Sequence, residues 1–273
     1  AAYKRLYSEY SVLSRDKGIH WQDYVKMVDS IKLKDVQAYA DDFFSKFYIK
    51  FVYYGNVEER KAREFVDYTY KKLGAKTLDK ALIEKKRSQY RITPLNKNYS
   101  FKIQGKNNNN GILTIYNTGK WSLESHAKTA LLGQLISQPY FAELRSNQQL
   151  GYVVRVQPTY QDGYTGLIGI IQSQNHSVQH LQKKSDEFIS SYLKKMSGKL
   201  TEKELSPVRD SMVNELVKSP NSMGARFSLF KERSLRYEGK FDIHLKLAEE
   251  LKKVKVEDLK TYIDKSYFQQ KPG

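Results

Sequence analysis

The chain has 273 residues, 40% of them hydrophobic and 28% charged, with a formal net charge of +17 and no cysteine. That length accommodates one large domain or two ordinary ones around a real apolar core, and the interspersed apolar and charged residues exclude a disordered chain. Without cysteine there are no disulfides, thiolate metal sites or cysteine nucleophiles, and no run of about 18 apolar residues is present to cross a membrane.

The absence of cysteine fits a reducing, cytoplasmic compartment. The sequons at Asn98 and Asn175 are what chance supplies in a chain this rich in Asn and Ser. The charge is uneven. Residues 86–175 carry 10 basic but only 3 acidic side chains, while the flanking parts are mixed in sign, as solvated helices usually are. A basic balance raises nucleic acid as a partner. No RNP-like aromatic motif, Arg-rich arm or zinc finger accompanies it, so neither nucleic acid nor a membrane is expected as a partner.

In chain order, "AAYKRLYSEY" opens an amphipathic helix over 2–15 with no signal peptide before it, and a chain beginning in mid-helix looks like part of something longer. A second helix is predicted over His20–Ser30, with Trp21, Tyr24, Val25 and Val28 on one face. A third follows Lys34, with Val36, Tyr39, Ala40, Phe43 and Phe44 on a buried stripe. "YIKFVYYG" (48–55) is β-branched and aromatic and predicts a strand. A helix from about Glu58 to Leu73 then stops at Gly74.

Polar residues 75–97 are a linker. Beyond it, "YSFKIQG" and "GILTIYNTG" predict two antiparallel strands joined by "KNNNNG", and a long helix runs from Ser122 to about Asn147. "YVVRVQPTY" and "YTGLIGIIQS" form a hairpin through Gln161-Asp162-Gly163. The rest is helical. Thr201 with Glu204 forms a capping box, although Pro207 leaves a start at Ser206 open.

"IKLKDVQAYAD" (31–41) lines up with "VKVEDLKTYID" (254–264) at an offset of 223 residues, which reads as an internal repeat. The expected fold class is α+β, with antiparallel sheets packed against helices. If the repeat is real rather than coincidence, it predicts two homologous domains in series, 1–74 and 98–273, the first cut at its start and the second lacking its last strand.

The motifs for chemistry are few. "HSVQH" (176–180) spaces two histidines one helical turn apart, but no glutamate completes HExxH or HxxEH, and no GxSxG, P-loop or GxGxxG occurs. One stretch remains, "LRSNQQLGYVVR" (144–155), where a helix end meets a strand. Tyr152, just past Gly151, offers a neutral hydroxyl donor at a sheet rim. Arg145, seven residues back, offers a fixed charged fork. Two donors aimed at one carbonyl or carboxylate meet the needs of oxyanion stabilisation. Spacing alone fits a core tyrosine and a capping arginine at least as well.

"LRSNQQLGYVV" resembles the signature L-R-x-x-x-Q-L-G-Y-x-V in the C-terminal half of pitrilysin-type (insulinase) zinc proteases. "YYGNVEERKA", "LLGQLISQPYFAELR" and "GLIGIIQS" extend the resemblance over essentially the whole chain. It implies two homologous domains of the zinc-free half of a chambered peptidase. Arg145 and Tyr152 would orient the scissile peptide and stabilise the developing oxyanion, and Gln149 would lie in the substrate-binding motif.

The implied partners are the N-terminal catalytic half, which would carry the zinc, and peptide substrates; self-association into a homo-oligomer is compatible with this. The chain itself would hold no cofactor and would be inactive alone. The alternative is a structural core-type subunit of the same domain family, which has no need of Arg145 and Tyr152 in register.

Overall fold

A computed structural model describes residues 2–14, 18–74, 76–79, 81–82, 100–101, 103, 108–160, 163–237 and 239–268. In chain order the elements are α1 (Ala2–Leu13), α2 (Trp21–Val28), α3 (Leu33–Ser45), β1 (Lys46–Phe47), α4 (Glu59–Leu73), β2 (Lys76–Thr77) and β3 (Asn110–Lys120). Then come α5 (Leu123–Phe141), a π-helical turn (Ala142–Asn147), β4 (Val153–Thr159) and β5 (Tyr164–Ser173). Helices α6 (Val178–Lys199), α7 (Glu202–Val217), α8 (Met223–Arg236), α9 (Ile243–Lys253) and α10 (Val256–Ile263) follow, the last running on as a π-helical turn (Asp264–Phe268). The fold is α+β, mostly helical around a small antiparallel sheet.

Two compact units emerge, one from Ala1–Ser14, Ile92–Lys218 and His244–Gly273, the other from Arg15–Arg91 and Ser219–Ile243. These units do not follow the boundaries expected at 74 and 97. The start of the chain packs with the second stretch, and residues 219–243 pack with the first, because contact follows space rather than sequence order. Most of the expected linker, and the strand expected over "YSFKIQG", lie outside the described residues, as do Gln161 and Asp162 of the hairpin turn. Lys76–Thr77 within the linker pairs in parallel with Lys46–Phe47.

The first unit is built on a three-stranded sheet in the order β3-β5-β4, antiparallel throughout. Ile171 on the central strand pairs with Ile112 on one side and Val154 on the other, which gives the sheet its apolar face. Against it α5 buries Ala127, Leu131, Leu132, Ile136 and Tyr140, and α6 buries Leu181, Ile189, Leu193 and Met196. Each fully buried Leu or Ile contributes about 1.5–3 kcal/mol relative to exposure.

Alternation along β4 turns Arg155 away from buried Val154 and Val156. Its guanidinium lies 5.9 Å from the Tyr3 ring and 5.6 Å from the Tyr7 ring of α1. Hydroxyls joining four elements are satisfied internally, with Tyr262 Oη 2.6 Å from Thr118 Oγ1 and 2.7 Å from Thr129 Oγ1, and Thr118 Oγ1 2.9 Å from Thr165 Oγ1. Helix α7 starts at Glu202, because the Glu204 carboxylate accepts from Thr201 N–H at 2.9 Å and from its hydroxyl at 2.8 Å. Pro207 is tolerated inside the helix.

In the second unit α2, α3 and α4 form as their periodicity dictates, but the stripes expected to be buried are open. Tyr39 is 66% exposed, and Val36, Phe43, Phe44, Trp21 and Tyr24 are exposed as well. The strand expected over 48–55 is reduced to β1 at Lys46–Phe47; residues 48–54 have no ladder partner among the described residues. Aromatic contacts hold this segment instead, with Tyr54 5.1 Å from Phe230 and Phe51 6.1 Å from Tyr70.

The repeat has a structural counterpart. Helices α3 and α10 start at the same relative position. In each, the carboxylate three residues after the N-cap accepts the cap N–H, Asp35 from Lys32 and Asp258 from Lys255, both at 2.9 Å. The second copy buries Leu259 and Ile263 completely; the matching Val36 of the first copy is exposed.

Candidate functional site

The site lies where α5 gives way to β4. Helix α5 begins at the Ser122 cap, whose hydroxyl accepts from Ser125 N–H at 3.0 Å. It ends by widening into the π-helical turn that carries Arg145, a distortion often found at functional sites. The turn closes through Gln148 N–H to Glu143 O at 2.9 Å and Leu150 N–H to Leu144 O at 3.0 Å. The Glu143 carboxylate accepts from Asn147 Nδ2 and Gln148 Nε2, both at 2.8 Å. Those bonds, first Gln148 and then Asn147, hold its pKa below the ordinary value.

Gln149 follows in left-handed backbone at φ 51°, the conformation that reverses the chain before the strand. Gly151 is there because β5 passes too close for any side chain: a Cβ would stand 2.0 Å from the Gln172 carbonyl oxygen. Tyr152, expected as the first strand residue, sits immediately before β4 and donates its N–H to that same oxygen at 3.1 Å. Backbone contact with β5, not side-chain packing, therefore fixes where Tyr152 stands.

The Tyr152 side chain is 82% exposed, and the Arg145 guanidinium carbon lies 5.8 Å from its ring centroid. Arg145 forms no ion pair among the described residues. Arg145, Gln149 and Tyr152, the three residues singled out in the sequence, thus line one open hollow of about 710 Å³. Gln172, Gln174 and Asn175, which sequence reasoning did not connect to the site, line it too. Only the strand pairing that brings the end of β5 beside Gly151 puts them there.

Such a hollow can present a cation and a phenol to one oxygen of a ligand in open solvent-facing geometry. Among the described residues no three His, Asp or Glu side chains stand close enough to hold a metal ion. His176 and His180 have stacked rings with centroids 4.9 Å apart. His180 is on the first turn of α6 and His176 precedes the helix. Burial pushes the Tyr140 phenol up to about 12 and raises Tyr116 further. Both share the Ser185 hydroxyl and are structural.

The junction thus presents an exposed Tyr beside an Arg that has no ion pair among the described residues, on a helix-covered antiparallel sheet. Residues 131–231 match the family described as PQQ synthase PqqF-like, C-terminal lobe domain 4. The chain is 24% identical over 233 residues to "Protease 3" of Escherichia coli K12, covering 83% of this chain and 23% of that protein. It is 30% identical over 150 residues to human "Insulin-degrading enzyme", covering 54% of this chain and 15% of that protein.

The crystal structure of pitrilysin superposes with a TM-score of 0.72 at 19% identity, covering 94% of this chain and 27% of that one; at that identity the likeness speaks for the fold. The chain is similar to the C-terminal lobe of pitrilysin-type (insulinase) metallopeptidases. It spans about a quarter of the length of the "Protease 3" relatives it matches. No described helix is long and apolar enough to cross a membrane.

Proposed function

We propose that this chain is part of the non-catalytic C-terminal half of a zinc metalloendopeptidase that cleaves peptides in an enclosed chamber. The observation that carries this reading is the Arg145–Tyr152 pair at the hollow, with Arg145 forming no ion pair among the described residues and Tyr152 presented to solvent. A structural subunit gains nothing from leaving both groups uncommitted.

Arg145 orients the scissile peptide through its carbonyl oxygens, and the Tyr152 hydroxyl donates to the oxygen on which negative charge develops. Such donors are worth about 2.7–4 kcal/mol of barrier each. Gln149 contacts the same peptide. The zinc belongs to the N-terminal half, the partner without which this chain hydrolyses nothing. The repeat at 31–41 and 254–264 supports descent of residues 1–74 and 98–273 from one domain type, and the lack of cysteine supports a cytoplasmic setting.

The test is reconstitution with the zinc-bearing half and peptide hydrolysis. Tyr152→Phe should lower kcat by roughly 10²–10³-fold with little change in KM. Because its hydroxyl is exposed, stability should stay within about 0.5 kcal/mol of the parent. A fully active Tyr152→Phe enzyme would end the transition-state role, and failure to support any cleavage would favour a structural subunit.

A further inference from the structure

The hollow has a second rim that Arg145 and Tyr152 do not occupy. Strand β5 ends at Ser173, and the chain turns through Gln174 and Asn175 before α6 begins at Val178. The main chain of this turn is held in place: buried Ser173 Oγ accepts from Asn175 N–H at 3.2 Å and His176 N–H at 3.1 Å. From β3, Asn110 Nδ2 donates to the His176 carbonyl at 2.9 Å. With the backbone committed, the Gln174 and Asn175 side chains are exposed and line the hollow. Neither makes a side-chain hydrogen bond among the described residues, and the same holds for Gln149.

A primary amide offers two N–H donors and a carbonyl acceptor, the complement of a peptide group, and it carries no charge. Three such amides sit beside one cation and one phenol, and among the described residues no carboxylate lines the hollow. Its size falls within the ordinary range for ligand sites of about 300–1,000 Å³. Such amides are able to meet the main-chain N–H and C=O groups of an extended peptide without reading its side chains.

We propose that Gln174 and Asn175, with Gln149, form a subsite that grips the main chain of the substrate peptide next to the bond that Arg145 and Tyr152 orient. This rests on the reading of Arg145 and Tyr152 as substrate-facing. It makes the lobe a reader of peptide backbone rather than of side-chain sequence, so one site can serve many unrelated peptides.

The experiment is fluorescence anisotropy of the full chain. The probe is a short fluorescein-labelled peptide of alanine, serine and threonine, alongside forms N-methylated at one peptide bond at a time. The proteins are the parent, Arg145→Ala, and the double variant Gln174→Ala/Asn175→Ala. A net hydrogen bond of about 0.5–1.5 kcal/mol corresponds to roughly two- to tenfold in affinity.

The double variant should therefore bind at least severalfold more weakly than the parent while melting at the same temperature. N-methylation at one or two positions should weaken binding to the parent by a similar factor and have no further effect on the double variant. Unchanged binding by the double variant, or an N-methylation penalty it retains in full, overturns the subsite. If Arg145→Ala weakens binding in the same series, the substrate-facing reading survives that failure. If Arg145→Ala binds like the parent, that reading falls as well. A parent chain that binds none of the peptides overturns both.

Discussion

Gly151 ties the site to the sheet, and replacing it with alanine measures how tightly. The added methyl would stand 2.0 Å from the Gln172 carbonyl oxygen and 2.8 Å from its carbon. Both are backbone atoms of the central strand, so no side chain can swing aside. Carbon–oxygen contacts settle at about 3.3 Å or more, so the two segments must part by roughly 1.3 Å. The same displacement acts on the Tyr152 N–H bond to that oxygen, now 3.1 Å, and takes it beyond hydrogen-bonding range.

Overpacking of this kind costs about 1–3 kcal/mol and the lost bond about 0.5–1.5 kcal/mol, together roughly 2–4 kcal/mol. At about 2–4 °C per kcal/mol for a protein near this size, Gly151→Ala should melt some 5–15 °C lower when followed by circular dichroism. Tyr152 loses its backbone anchor, so the reconstituted enzyme should also lose a large part of the rate assigned to the phenol. A Gly151→Ala chain that melts within a degree or two of the parent would show that β5 does not clamp the junction, and the account of how Tyr152 is positioned would be wrong.

Two further outcomes follow from the same geometry. Gly198 lies within α6 with nothing within 4 Å of an added Cβ, so Gly198→Ala should stabilise the chain by about 0.5–1 kcal/mol in urea unfolding; a destabilised variant would contradict the open space there. The Glu143 carboxyl, held below its ordinary value of 4.5 by Gln148 and then Asn147, contributes stability above that pH, and the contribution is lost as pH falls through the lower folded value. The Gln148 side-chain amide resonances should accordingly shift on acidification below that value, and Glu143→Gln should abolish the transition; resonances that ignore pH in the parent would show that the carboxylate does not hold the turn.

Local pattern carried much of the fold. β3 was legible as "GILTIYNTG", the β4–β5 hairpin as two apolar runs around a glycine turn, and α5 through α10 as helical stretches, with a capping box at Thr201. Those signals are short-range, because alternation, caps and turn residues act within one element. They said less about "YIKFVYYG", which has strand-forming residues but no ladder partner among the described ones, since a strand is completed by its neighbour. The capping box at Thr201 outweighed Pro207 for a local reason as well: the Glu204 carboxylate ties down the cap before the proline is reached.

What the sequence alone determined was register: Arg145 and Tyr152 seven residues apart across a helix-to-strand junction, and a matching pair of amphipathic helices at 31–41 and 254–264. Tertiary structure decided what those residues meet. The pairing of β5 with β4 brings the Gln172 carbonyl against Gly151, stands Tyr152 in solvent beside Arg145, and adds Gln174 and Asn175 to the same hollow from more than twenty residues away. It also decided that Leu259 is buried while its counterpart Val36 is open. Periodicity shows that a helix has a face to cover, but whether anything covers it depends on contacts distant in sequence, and no local pattern encodes them.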